Sequence, residues 1–388
     1  MRALDPLPDW SLRARTLRPV VQGGMGIGIS AHRLAGHVAR LGAMGTISSV
    51  DLRQHHPDLL AASDGVHDKP TLDRLNLVAL DREVRAGLAL SEGHGAIAVN
   101  VMKAVNDHAA QVRQACESGA HAIVMGAGLP LDLPELAAGF PDVALIPILS
   151  EARGVSIVLR KWMRKGHLPD AIVIEHPGFA GGHLGATKLA EVRDERFDFE
   201  RVLEGIFATF TELGLERGRV PLIVAGGIHT HEQVRALLAL GAAAVQVGTP
   251  FAVTLEGDAA PEFKRVLAEA KPEDIVTFMS VAGLPARAVL TPWLRGYLRH
   301  EKGLQAHAKA DPRRCVPGLQ CLTVCGLREG IGSAGQFCIA TRLAHAVHGD
   351  VKKGLFFRGS EPLPFGAAIR PVSELLSYLL TGEPAAVA

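Results

Sequence analysis

Over the first two thirds of the chain, short runs of apolar, β-branched residues alternate with segments whose apolar positions recur at helical spacing. The runs PVVQ (19–22), MGTISS (44–49), AIAVNVM (96–102), AIVMGA (122–127), VALIPIL (143–149), AIVIE (171–175), PLIVAGG (221–227) and AAVQVG (243–248) predict eight strands. Between them lie amphipathic stretches such as SEARGVSIVLRKWMRKG (150–166) and THEQVRALLALG (230–241), the second opening on a threonine N-cap and closing on glycine. Strands that are apolar on both faces and separated by helices belong to parallel sheets, because each helical crossover returns the chain to the same end. Eight such units predict an α/β protein whose residues 1–256 form a TIM (β/α)8 barrel; an open doubly wound sheet is the alternative. Residues 257–388 break the alternation and are expected to form a C-terminal lid or appended helical subdomain, with helices near 261–270 and 371–380.

The 388 residues are 48% hydrophobic and 21% charged, with a formal net charge of +1. That balance supplies a large core and lacks the basic footprint of a nucleic-acid-binding protein. No apolar run reaches the roughly 18 residues that span a bilayer, and MRALDPLPDWSLRARTLRP at the N-terminus has no continuous apolar region of the signal-peptide type. A cytoplasmic protein with a small-molecule substrate is expected, without a membrane or nucleic-acid partner.

Chemistry in such a barrel collects at the C-terminal ends of the strands, and the glycines gather there: GGMGIGIS (23–30), HPGFAGGHLG (176–185), AGGIHT (225–230) and GTPF (248–251). The backbone N–H groups of Gly226, Gly227, Gly248 and Thr249 can converge on a phosphate, an approach that larger side chains would obstruct. Gly26, Gly28 and Ala31, followed by Asp51, also fit a dinucleotide-binding G-x-G-x-x-A pattern. That match leaves the later glycine loops without a task. His183, set among glycines, is the candidate base, since imidazole titrates near neutrality. Glu175 and His176 close the sixth strand, where a carboxylate can bond a cofactor, orient His183 or cap loop N–H groups. His229 and His231, beside a helix start, read as surface neighbours of the cap.

PVVQGGMG, VNVM, GAGLP, AGGHLG, LIVAGGI and GAAAVQVGTPF, in this order over roughly residues 17–290, resemble the nitronate monooxygenase (2-nitropropane dioxygenase-like) family. The FMN-dependent enoyl-acyl-carrier-protein reductases are similar. The resemblance implies a TIM barrel holding FMN non-covalently. Gly24 and Met25 would lie against the isoalloxazine, Asn100 and Gly126 along the flavin, and Gly181, Gly182, Gly226, Gly227, Gly248 and Thr249 around the ribityl phosphate, with Gln22 and Glu175 as further cofactor contacts. His183 matches the family's active-site histidine. The implied reaction is oxidation of alkyl nitronates by O2 to a carbonyl compound and nitrite. An NAD(P)H-dependent flavin reductase of quinones or enoyl thioesters and a non-catalytic flavin-binding sensor are the alternatives. EHPGFAGGHLG departs from the commoner EGMEAGGH-like pattern, so substrate specificity does not carry over.

Cys315, Cys321, Cys325 and Cys338 are spaced C-x5-C-x3-C-x12-C. This does not match the paired spacing of zinc ribbons. It partly resembles the iron-sulfur arrangement beside the FMN barrel of glutamate synthases, and four reduced thiols packed in a lid are the other expectation.

Overall fold

The computed structural model describes residues 7–66, 68–311 and 321–384. Eight parallel strands close into a barrel: Val20–Gln22, Met44–Ser48, Ala96–Met102, Ala122–Gly126, Ala144–Leu149, Ile172–Glu175, Leu222–Ala225 and Ala244–Val247. The eighth pairs with the first through Val245 and Val20, which removes both sheet edges and rules out the open doubly wound alternative. Asp51, the acidic residue of the dinucleotide-like pattern, is fully buried and ion-paired to Arg53 Nε at 2.8 Å, away from the cavity described below.

Two faces are legible within each apolar run, because successive side chains in a strand point to opposite sides. Ile97, Val99, Ile123, Met125, Ile172, Ile174, Val245 and Val247 pack outward against the helices. Ala96, Ala98, Ala122, Val124, Ala144, Val173 and Ala244 point inward, where small residues fit the narrow interior. An antiparallel hairpin, Trp10–Leu12 with Arg15–Leu17, adds Trp10, Leu12 and Leu17 to that interior cluster and plugs the N-terminal end of the barrel.

The C-terminal part is not purely helical. Strands Ile275–Met279 and Pro285–Val289 pair antiparallel, and the second also pairs with the short strand Gly182–His183. Helices Pro292–Ala306 and Ile339–Val347 follow, and helix Val372–Thr381 returns to the barrel, placing Val372, Leu375, Leu376 and Leu379 in its outer core. This segment is therefore built onto the barrel mouth. No helix among the described residues is long and apolar enough to cross a membrane.

Candidate functional site

A cavity of about 330 Å³ opens at the C-terminal mouth of the barrel, roofed by the C-terminal segment. This volume lies within the roughly 300–1,000 Å³ of small-molecule and cofactor pockets. Gly24, Met25, Asn100, Gly126, Glu175, Gly181, Gly182, His183, Gly226, Gly227, Gly248 and Thr249 all line it. Gln22 does not. Its amide instead accepts from Thr46 N–H at 2.9 Å and donates to Thr46 C=O at 3.1 Å, tying the first strand to the second. Strand parity explains this. Val20 faces the helices and Val21 the interior, so Gln22 turns away from the barrel axis.

The same parity brings Asn100, Glu175 and Gln246 to the inside of the mouth. Gln246 was not among the expected site residues, although its place between outward-facing Val245 and Val247 marks it as inward. Its amide oxygen is buried without a hydrogen-bond partner among the described residues. His183 Nε2 is likewise enclosed and unpartnered, and the imidazole meets Phe357 edge-on at 5.7 Å. Burial alone pushes His183 down to about 4 and Glu175 up to about 7. Desolvation disfavours the charged form of each, so the cavity is lined by a neutral imidazole and by a carboxyl that titrates near neutrality.

The backbone leaves room where a flat or anionic group would approach. A Cβ at Gly24 would sit 2.3 Å from Asn100 Cβ. Gly226 and Gly227 adopt φ of 109° and 78°, conformations that favour glycine. Orphaned polar atoms, glycine-lined walls and the short helix Thr249–Ala252 together fit a phosphate-bearing planar cofactor.

The loop carrying His183 is braced from within. His176 is buried, accepts from Gly178 N–H at 2.9 Å through Nδ1, and packs against Phe179 with ring centroids 4.5 Å apart. The buried Arg287 guanidinium donates to the carbonyls of Pro177 and Ala180, while its backbone pairs with Gly182. His229 lines the cavity and donates through Nδ1 to Gly227 C=O at 2.8 Å, whereas His231 is buried and bonds Leu379 C=O at 3.0 Å. His231 is therefore not a surface residue, being covered by the returning C-terminal helix, whereas His229 is partly exposed on the cavity wall.

Among the cysteines, Cys315 lies outside the described residues. Cys325 is buried beneath Leu322 and Phe337, Cys338 opens helix Ile339–Val347, and Arg328 Nη1 donates to Cys321 Sγ at 3.3 Å. Among the described residues, no three His, Cys, Asp or Glu side chains come together as a metal site, so the iron-sulfur expectation gains no support. Leu322, Ile339, Ala340 and Leu343 from this region line the cavity.

The closed eight-stranded parallel barrel, with glycine loops around a cavity at its mouth, places the chain among the (β/α)8 barrels with a cofactor-sized site at the C-terminal face. A sequence model of the nitronate monooxygenase family matches residues 12–380, and the chain belongs to that family. It is 31% identical over 123 residues to a protein of Bacillus subtilis (strain 168) named a probable nitronate monooxygenase, an alignment spanning 32% of this chain and 33% of that one. The curated relatives are thus matched over about a third of their length. Among solved structures, FabK from Thermotoga maritima superposes with a TM-score of 0.62 at 21% identity, covering 93% of this chain and 91% of the other. Nitroalkane oxidase from Streptomyces ansochromogenes gives 0.62 at 18% identity, covering 93% and 94%. These two likenesses speak to the fold.

Proposed function

We propose that the protein is an FMN-dependent nitronate monooxygenase that oxidises alkyl nitronates with O2 to a carbonyl compound and nitrite. The carrying observation is His183, a neutral imidazole with an unpartnered, enclosed Nε2 on the wall of a glycine-lined cavity. Asn100, Glu175 and Gln246 at the mouth, with Gly24 and Met25, would hold the flavin ring, and the loops at Gly181–Gly182, Gly226–Gly227 and Gly248–Thr249 would hold its phosphate. When bound, FMN supplies the electron transfer and the reaction with oxygen.

The protein groups handle the proton and the charge. His183 stays uncharged throughout the neutral range, so it can hydrogen-bond an anionic nitronate oxygen or accept a proton from the carbon alpha to the nitro group. A group held near 4 is a weak base for a neutral nitroalkane, and an arriving nitronate anion would itself raise it. This favours preformed nitronates as the substrate. Glu175, partly protonated near neutrality, avoids placing a full second anion in the same cavity. In the net reaction two nitronate anions and one O2 yield two carbonyl groups and two nitrite ions, which balances atoms and charge.

The test is oxygen uptake together with nitrite release when FMN-loaded protein meets ethyl nitronate. Wild type is expected to consume oxygen and release nitrite, and His183→Ala to lose most of this while keeping its flavin. Wild type that consumes no oxygen overturns the proposal.

A further inference from the structure

Arg358 stands outside every motif that the glycine loops define, in the C-terminal stretch FFRGSEP. It is 4% exposed, yet it lines the cavity, and it is the sole lysine or arginine that does so among the described residues. Its segment lies against each of the candidate phosphate loops. A Cβ on Gly181 would meet the Arg358 carbonyl carbon at 2.6 Å, Gly359 N–H donates to Thr249 Oγ1 at 3.0 Å, and a Cβ on Gly227 would meet Glu361 Cγ at 3.3 Å. The guanidinium is tied down by Nε donating to Leu267 C=O at 2.9 Å and by Nη1 donating to the carbonyls of Gly359 at 2.7 Å and Glu361 at 3.2 Å. Nη2 makes no hydrogen bond among the described residues. A buried, fixed cation with a donor to spare, carried on a cavity-lining segment that touches all three glycine loops, is complementary to a dianion.

From this arrangement we infer that Arg358 is the charged ligand of the cofactor phosphate, so that the C-terminal segment, and not only the barrel loops, selects a phosphorylated flavin. The inference rests on the FMN reading above. Backbone N–H groups alone supply partial charges, whereas the guanidinium supplies a full one that remains at any working pH. The Glu361 carboxylate, which accepts from Ser360 Oγ at 3.0 Å, is the nearby group that competes for the same cation.

The test compares dissociation constants for FMN and riboflavin, read by flavin fluorescence on apoprotein, for wild type, Arg358→Met, Arg358→Lys and the double variant Arg358→Met/Glu361→Gln. Riboflavin has the same ring and lacks the phosphate, so general damage to the site weakens both flavins alike. Wild type should favour FMN, and Arg358→Met should weaken FMN roughly ten- to hundredfold, the range for a lost charge-assisted hydrogen bond, with riboflavin little changed. Arg358→Lys should recover part of the preference. Equal weakening of both flavins, or no preference in wild type, overturns the inference. Wild-type FMN affinity in the double variant would overturn it too, because Arg358 would then serve only to neutralise Glu361. Wild type that binds neither flavin overturns the flavin assignment itself and this inference with it.

Discussion

Replacing Glu175 by glutamine tests whether the cavity floor is as desolvating as its geometry implies. The Glu175 carboxyl has no hydrogen-bond or ion-pair partner among the described residues, and burial alone raises it from 4.5 to about 7. Since the unfolded chain ionises near the ordinary value, the folded protein loses stability as pH rises from 4.5 through 7. At about 1.4 kcal/mol per pH unit, the ceiling on that loss is about 3 kcal/mol. Glu175 is half-buried beside a cavity that admits water, so screening trims the expected value to about 1–3 kcal/mol. Glutamine keeps the shape without the charge. Urea denaturation of the flavin-free protein should show Glu175→Gln more stable than wild type by that amount near pH 8.5, with a difference below about 1 kcal/mol near pH 5. A difference that does not grow with pH, or a loss of stability near pH 8.5, would refute the desolvation argument.

His183→Ala is expected to lower nitronate turnover by roughly 10²–10⁴-fold with FMN absorbance retained, measured by oxygen uptake on the reconstituted protein. The same histidine should mark the acid side of stability. Its folded value of about 4 lies below the ordinary 6.5, so the stability present above pH 6.5 is lost as pH falls toward 4. His183→Gln should flatten that part of the urea-derived pH profile. Arg287→Met leaves the buried carbonyls of Pro177 and Ala180 without their donor and should cost about 1–3 kcal/mol in denaturant unfolding. Gly24→Ala forces a methyl against Asn100 Cβ and should cost about 1–3 kcal/mol, together with weaker FMN retention on gel filtration.

The barrel was legible because its strands are short, β-branched and apolar on both faces, a pattern that only a helix-covered parallel sheet accommodates. The glycine loops were legible because they follow those strands directly, and the structure gathers them around one cavity. Gln22 shows where adjacency fails. Position at a strand end does not decide direction, and counting parity from Val20 turns it toward Thr46. Parity would equally have found Gln246. The Arg287 brace and Arg358 could not be read this way, because the first reaches carbonyls 110 and 107 residues away and the second depends on how the C-terminal segment folds back. The strand Gly182–His183 is only two residues long and exists through its pairing with residues 286–287, which no local pattern announces.

Whether a nitronate is the electron donor of this barrel is decided by anaerobic rapid mixing. FMN-loaded protein is mixed with ethyl nitronate, and in parallel with NADH or NADPH, while the visible flavin absorbance is followed; oxygen is then admitted and nitrite measured. Rapid spectral change with the nitronate, recovery and nitrite release on admission of oxygen, and little response to either pyridine nucleotide are expected. Rapid bleaching by NADH or NADPH with no response to the nitronate would contradict a nitronate donor and identify a reductase.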